Sequence, residues 1–381
     1  MLNLPALVED EDQVAARMPL TPEEALALFR GTLGNDQSRG LLLAVSGGPD
    51  SIALMGLAGA IRAFLPPIAV ATVDHGLRPE ATHEAEAVAE FAREIGFPHC
   101  TLKWLDKPRA SITQEAARNG RYALLTSHAR ALDATHLVTA HTLDDQAETV
   151  LMRMAGGTGT GGLGAMRPNV QRGALTHIRP LLEIPKSRIL STCEKHGWLY
   201  ADDPSNADHR FKRSRLRALM PLLAHEGLTA ERLGTLAARA RRTEDAIEHV
   251  ARRNIEDYLV HIAKDGGAVR LKSEPFLNEP FEIALRMLKR AMVMIMDGTP
   301  PDQAVSLAKL EQLLRNLRLA IRDSRPFRAT LAWAVVAHGV GHIEVRRAPP
   351  RRKHDEGAVG RGLVTSSSPS GSLASGPLAP K

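Results

Sequence analysis

From residue 40 to about residue 155 the chain alternates short apolar runs with longer amphipathic stretches. The runs at 41–45, 68–73, 99–104 and 136–140 have the length and side chains of buried strands. After each of them, 50–64, 80–95, 113–131 and 144–154 carry apolar positions at helical spacing, as in Ile52, Met55 and Leu57. Helices of this length between strands require crossover connections, which pair strands in parallel and cover both sheet faces. The pattern therefore predicts an α/β fold built on a Rossmann-like, doubly wound parallel sheet. Ligands of such sheets bind beyond the carboxyl ends of the strands. Asp50, Asp74 and His141 all fall just past predicted strand ends, so one crevice is expected to collect them.

Outside this stretch the pattern changes. Residues 1–38 read as a lead-in with one helix, opened by Thr21 and Glu24 at capping-box spacing. After about residue 225 the strand signal fades. Residues 229–263 read as one long helix or a helical pair, and 280–296 and 302–318 as two more helices. A hairpin is expected within 327–346, its strands drawn from 330–336 and 342–345. Beyond Pro349 the chain is rich in Ser, Gly, Pro and Arg, a composition that does not form a core. The predicted organisation is a lead-in (1–38), a catalytic α/β domain (39–224), a smaller, mainly helical domain ending in a β-hairpin (225–346) and a disordered basic tail (347–381).

Composition narrows the class. No apolar stretch among the 381 residues reaches the ~18 needed for a membrane span, and the acidic first 17 residues lack the features of a signal peptide. Cys100 and Cys193 are the two cysteines, too few for a metal cluster or a disulfide framework, and they suit a reducing cytoplasm. The formal net charge is +6. Its placement says more than its size: Arg210, Lys212, Arg213, Arg215 and Arg217 form one cluster, and Arg239, Arg241, Arg242, Arg252 and Arg253 another. Both are open to two readings, a solvated surface or a contact for nucleic-acid phosphates.

The first strand runs directly into Ser46-Gly47-Gly48-Pro49-Asp50-Ser51. Glycine lets the backbone turn sharply and approach a ligand. The helix opened by Pro49-Asp50-Ser51 would present free N–H groups to an anion, typically phosphate. The lysine of a Walker-type P-loop is missing. A plain glycine turn has the same composition, but the strand before and the helix after favour a nucleotide. After the last predicted strand comes His141-Thr142-Leu143-Asp144-Asp145-Gln146-Ala147-Glu148-Thr149. Asp145 and Glu148, three apart, share a helix face. Acids in a first turn also serve the helix dipole with no further role. At a strand–helix crevice they suit a cationic substrate or Mg²⁺, and His141 suits proton transfer or phosphate contact. Arg118 and Arg121 share another helix face, open to triphosphate contact or to a surface pair with Glu115. The glycine-dense segment from Arg153 to Gly164 implies mobility or close approach to a ligand.

The hexapeptide resembles the signature of the N-type ATP pyrophosphatases, the PP-loop superfamily. Taken together, the blocks Ser46–Ser51, Asp74–Arg78, Gln114–Leu125, His141–Thr149, Arg153–Met166, Arg179–Leu182 with Lys186, and Asp202–Asn206 followed by Phe211–Pro221 resemble the tRNA(Ile)-lysidine synthases. They run in order over more than half of the chain. The glycine-dense loop and the segment at 202–206 with its arginine cluster are the more specific of them. The resemblance implies a ligase that adenylates the wobble cytidine of a tRNA(Ile) with a CAU anticodon, using ATP. L-lysine then attacks, and lysidine forms with release of AMP and pyrophosphate. It implies that Ser46, Gly47, Gly48, Pro49, Asp50 and Ser51 bind ATP and that Asp50 holds Mg²⁺. Arg121 and His141 would assist adenylation, Asp145 and Glu148 would hold the lysine, and Arg213 would approach the activated cytidine. ATP, L-lysine and tRNA(Ile) are the expected partners, without a membrane, and the oligomeric state stays open, a homodimer included. In the family, glycine is usual where Ala332-Trp333 stand here. The rivals are another PP-loop tRNA-modifying enzyme such as a cytidine thiolase, a small-molecule synthetase, and a non-catalytic tRNA-binding protein.

Overall fold

The computed structural model describes residues 17–34, 38–74, 80–104, 114–201, 210, 212–263, 267–296 and 305–349. The chain enters through α1 (Pro22–Leu33), capped as expected by Thr21 and Glu24. It then builds β1 (Leu41–Ala44), α2 (Pro49–Ala60), β2 (Ile68–Asp74), α3 (Glu80–Glu94), β3 (His99–Lys103), α4 (Gln114–Ala131), β4 (His136–Val138) and α5 (Leu143–Met154). All four predicted strands and the four helices that follow them are present, within a few residues of the expected limits. The short α6 (Thr160–Leu163) leads to a hairpin, β5 (Asn169–Arg172) and β6 (Leu175–Ile178), and to α7 (Lys186–His196).

The six strands form one sheet in the order β3-β2-β1-β4-β6-β5. Only β5 runs antiparallel. Leu41 is in register with both Ile68 and His136, which puts β1 at the centre. The strand order reverses between β1 and β4, so the loops leaving these two strands face each other across the switch point, where doubly wound sheets take their ligands. Leu41, Leu42 and Leu43 are all buried, as strands covered on both faces require. Leu43 joins Phe29, Leu54, Met55, Val88 and Ile189 in the core under α1, α2, α3 and α7. Leu42 and Ala44 join Leu125, Ala129 and Leu137 on the α4 side.

The remainder holds α8 (Lys212–His225), the 29-residue α9 (Ala230–Tyr258), β7 (Leu259–Ile262), β8 (Ala268–Lys272), α10 (Pro275–Asn278), α11 (Phe281–Met294), α12 (Leu307–Arg322), β9 (Phe327–Leu331), β10 (Ala334–Gly339) and β11 (His342–Arg347). Two expectations are corrected here. The long helical stretch stops at Tyr258, because Leu259–Ile262 pairs with β8 instead. The expected hairpin is part of a five-stranded antiparallel sheet, β7-β8-β11-β10-β9. The run 330–336, read as one strand, turns at Ala332-Trp333, so that Leu331 pairs with Ala334. The Trp333 indole N–H donates to the Met292 carbonyl at 2.8 Å and fastens the turn to α11.

Ala332 has φ +52°, a left-handed backbone that glycine adopts without Cβ strain. Ala332→Gly is therefore expected to stabilise the protein by about 0.5–1 kcal/mol, the relief of strain exceeding the entropy that glycine adds to the unfolded chain. Urea unfolding of the two proteins checks this; a lower midpoint for the glycine variant would contradict it.

Candidate active site

The site begins where β1 ends. Gly47 has φ +91°, which lets the chain fold back onto the start of α2. Gly48 caps α2 with backbone alone, and Pro49 opens the helix. The Ser51 hydroxyl donates to the Gly48 carbonyl at 2.9 Å and accepts from the Ser46 N–H at 3.1 Å, which locks the turn. The positive end of α2 faces a cavity of about 760 Å³ lined by Ser46, Gly48, Asp50, Ser51, Arg118, Arg121, Tyr122, Thr139, His141, Arg153, Lys212 and Arg213, among others. A second cavity of about 150 Å³ is lined by Asp50, Thr142, Asp144, Asp145, Glu148, Lys186, Arg217 and Met220. Asp50 lines both. The large cavity is rich in cations and hydroxyls, and the small one in carboxylates.

Asp50 holds Lys186 Nζ at 3.3 Å through Oδ2, while Oδ1 is buried without a partner. Burial raises its pKa; Lys186 opposes the rise, and Asp145 and Asp144 add to it. An orphaned carboxylate oxygen beside a cavity fits a divalent cation held by one or two carboxylates and completed by phosphate and water. Among the described residues no group of three or more His, Cys, Asp or Glu forms a cage of its own.

At the start of α5, Asp145 accepts the Thr142 backbone N–H at 2.9 Å and so does cap the helix. It also pairs with Arg213 at 2.5 Å. Glu148, one turn on, is 2% exposed. Arg213 Nε binds one of its oxygens and Arg217 Nε the other, the latter at 2.6 Å. Burial raises the Asp145 pKa, but Arg213, His141, the Thr142 N–H and Arg217 outweigh it and bring it below the usual carboxylate range. Two members of the 210–217 arginine cluster thus pair with carboxylates of α5, a role that neither of the two readings of that cluster included. The second cluster divides likewise: Arg241 donates to the Gly164 and Met166 carbonyls, while Arg239, Arg242, Arg252 and Arg253 are exposed.

Arg121 lines the large cavity and, among the described residues, forms no ion pair. Burial, with Arg118 nearby, lowers its pKa. His141 turns Nδ1 to the Thr139 hydroxyl at 2.8 Å, and burial lowers its pKa to about 3, so the ring is neutral at physiological pH. The glycine-dense loop is braced, not loose. Arg153 donates to the Gly162 and Ala165 carbonyls at 2.7 and 2.9 Å, and the Gln146 amide bonds both backbone groups of Met166. A Cβ on Gly161 would stand 2.8 Å from the Glu244 carboxyl, so at this position glycine serves close approach to α9 rather than to a ligand.

The structure thus gathers Ser46, Gly48, Asp50, Ser51, Arg121, His141, Asp145, Glu148 and Arg213 around one pair of cavities, whereas Asp74, expected in the same crevice, ends β2 and lines neither. His75–Arg78 and Asp202–Asn206 lie outside the described residues, as do the Glu115 side chain and the chain from residue 350 on. The sequence reading assigned no role to Lys186, Asp144 or Arg217. Asp144 accepts the Lys186 backbone N–H at 2.7 Å and seats the start of α7. The available signal was spacing: Arg213 and Arg217, four apart, share one helix face.

A family model described as a PP-loop domain matches residues 23–223. The chain is 46% identical over 339 residues to a tRNA(Ile)-lysidine synthase of Methylobacterium nodulans, covering 88% of this chain and 98% of that one. It is 45% identical over 358 residues to a tRNA(Ile)-lysidine synthase of a Bradyrhizobium species, covering 89% and 98%. A solved U34-tRNA thiolase from Methanococcus maripaludis overlays 58% of this chain and 78% of its own, at 21% identity and a TM-score of 0.49.

Removing Arg213 leaves a buried carboxylate with half its partners. Arg213→Ala is expected to cost about 2 kcal/mol of stability near neutral pH. Because the native pKa of Asp145 is lowered, its pairing stabilises fully above its unfolded value of ~3.9 and is lost as pH falls through the lower native value. The difference between wild type and variant should therefore shrink on acidification below about pH 4. Urea unfolding at pH 7 and pH 3.5 checks it; a gap that widened in acid would contradict it.

Proposed function

The chain belongs to the tRNA(Ile)-lysidine synthase family of PP-loop enzymes, and from that premise we propose how its own residues divide the reaction. It is an ATP-dependent ligase that forms a carbon–nitrogen bond on tRNA(Ile). The wobble cytidine of the CAU anticodon is adenylated at its 2-carbonyl oxygen with loss of pyrophosphate. L-lysine then attacks carbon 2, and AMP leaves. Adenylation is needed because a carbonyl oxygen is otherwise a poor leaving group.

In our reading ATP takes the large cavity, its phosphates against the Ser46–Ser51 turn and the start of α2. Arg121, a cation in that cavity with no carboxylate partner among the described residues, draws the phosphates, and Lys212 lies on the same wall. Asp50 and the neighbouring Asp144 are the residues that would hold Mg²⁺, which would neutralise charge developing on the phosphates. Lysine takes the small, acidic cavity, its cationic end on Asp145 and Glu148. The observation that carries the reading is Asp50 lining both cavities: a basic chamber for the nucleotide opens beside an acidic one for the amine. Arg213 and Arg217 support it, for they show that these carboxylates accept cations. Arg213 also lines the large cavity, and so stands between amine and adenylate.

Region 225–346 is proposed to grip the tRNA. The exposed Arg239, Arg242, Arg252 and Arg253 of α9 would contact phosphates, which give affinity without sequence readout. No helix among the described residues is long and apolar enough to cross a membrane, and with ATP and tRNA as substrates the proposed compartment is the cytoplasm. The thiolase reading is disfavoured by its chemistry: Cys100 lies on β3 and Cys193 is buried in α7, and neither lines either cavity.

Wild type is expected to incorporate labelled lysine into a tRNA(Ile) transcript with a CAU anticodon, dependent on ATP and Mg²⁺. Asp145→Asn should lose roughly 100-fold in lysine incorporation while retaining tRNA-dependent pyrophosphate release. Failure of folded, ATP-binding wild type to incorporate lysine would sink the reading, as would an unimpaired variant. For the RNA surface, Arg239→Ala with Arg242→Ala should weaken tRNA binding and lower the slope of log K against log salt by about 1 per lost phosphate contact. An unchanged slope would remove α9 from the interface.

A further inference from the structure

We propose that Arg179, His177 and Thr139 form a one-way hydrogen-bond chain that fixes His141 as the Nε2–H tautomer. His141 is then a permanent donor to an oxygen in the nucleotide cavity, not a base. The family reading supplies only the identity of that oxygen's owner; the chain itself rests on geometry.

Direction comes from Arg179, which is 4% exposed and whose guanidinium can only donate. Its Nη1 donates to the Arg167 carbonyl at 2.7 Å, and its Nη2 meets His177 Nδ1 at 3.1 Å. His177 Nδ1 must therefore accept, so the neutral ring carries its proton on Nε2. That N–H meets the Thr139 hydroxyl at 2.8 Å. The hydroxyl accepts it and has one hydrogen of its own. Among the described residues the other polar group in reach is His141 Nδ1, at 2.8 Å. Thr139 donates there, so His141 Nδ1 accepts and the His141 proton sits on Nε2. The opposite order would set two N–H groups against each other at His177 Nδ1.

His177 is fully buried and Thr139 nearly so, which leaves no water to satisfy a misdirected donor. Burial lowers the pKa of His177 to about 2, with Arg179, His141, Arg172 and Arg118 adding to the effect, so a second ring proton is excluded near pH 7. For His141, burial, Arg179, Arg213 and Arg118 oppose a positive charge, and they outweigh Asp145, which favours one. The Tyr122 ring, which lies beneath the guanidiniums of Arg118 and Arg172, packs 5.4 Å from the His177 ring. An Nε2–H donor of this kind stabilises negative oxygen without gaining or losing a proton. The proton released by the attacking amine then leaves by another route.

The test is long-range ¹⁵N–¹H correlation spectroscopy on the full chain with ¹⁵N-labelled histidine, His141→Gln providing the assignment. The expected result from pH 6 to 8 is a protonated Nε2 and an unprotonated Nδ1 on His141. An Nδ1–H ring or an imidazolium would overturn the proposal. Thr139→Val should scramble the tautomer and lower kcat for pyrophosphate release about tenfold, with KM for ATP changing little, and Thr139→Ser should recover most of the loss. Equal kcat losses in the two variants would overturn it. If Thr139→Val does not fold, His177→Gln serves: its amide oxygen can accept from Arg179 and its N–H can donate to Thr139, so the His141 signature should persist, whereas His177→Phe should abolish it. The predicted tautomer in a protein that incorporates no lysine would sink the proposed function and leave this inference standing; an active enzyme with the other tautomer would do the reverse.

Discussion

Glu148 is a carboxyl group from which nearly all water has been excluded. A charge in that position must be paired, and two guanidiniums do so from successive turns of α8. This demand binds α8 to α5, and through Asp145 it shapes the wall between the two cavities. The balance is uneven. Asp50, Asp144, Asp145 and Glu148 gather around one small space, with Lys186, Arg213 and Arg217 as their cations. Among the described residues four carboxylates meet three cations there, an excess of one negative charge that one incoming ammonium would balance.

Where that cluster sits is a consequence of topology. The sheet reverses order between β1 and β4, so the Ser46–Ser51 turn and the start of α5 stand on opposite sides of one crevice. The central strand was legible in the sequence because Leu41-Leu42-Leu43 must be apolar on both faces. The turn was legible because two glycines and a helix-opening proline follow the apolar strand directly. The acidic pair was legible because Asp145 and Glu148 fall three apart just past a strand.

Other features were not legible, for physical reasons. The strand β5 is exposed along most of its length and carries no alternation to detect. In the second sheet β11 pairs with the sequence-distant β8, which hid the sheet, and the run 330–336 is apolar straight through its turn at Ala332-Trp333, with no glycine or proline to mark it. The pairing of Arg213, Arg217 and Arg241 depends on acceptors contributed by other elements. Sequence alone presents them as members of a basic run. Similarly, the glycine-dense loop signals close approach but not what approaches; at Gly161 the neighbour is the Glu244 carboxyl of α9.

The central claim is that Asp145 and Glu148 receive the substrate's ammonium in a cavity adjoining the nucleotide. A crystal structure of the protein with L-lysine and a non-hydrolysable ATP analogue tests this most directly. The account predicts the lysine ammonium within hydrogen-bond reach of Asp145 or Glu148, Arg213 displaced from at least one of them, and the analogue's phosphates at Ser46–Ser51. Lysine bound elsewhere, with the Arg213 and Arg217 pairs unchanged, would contradict it.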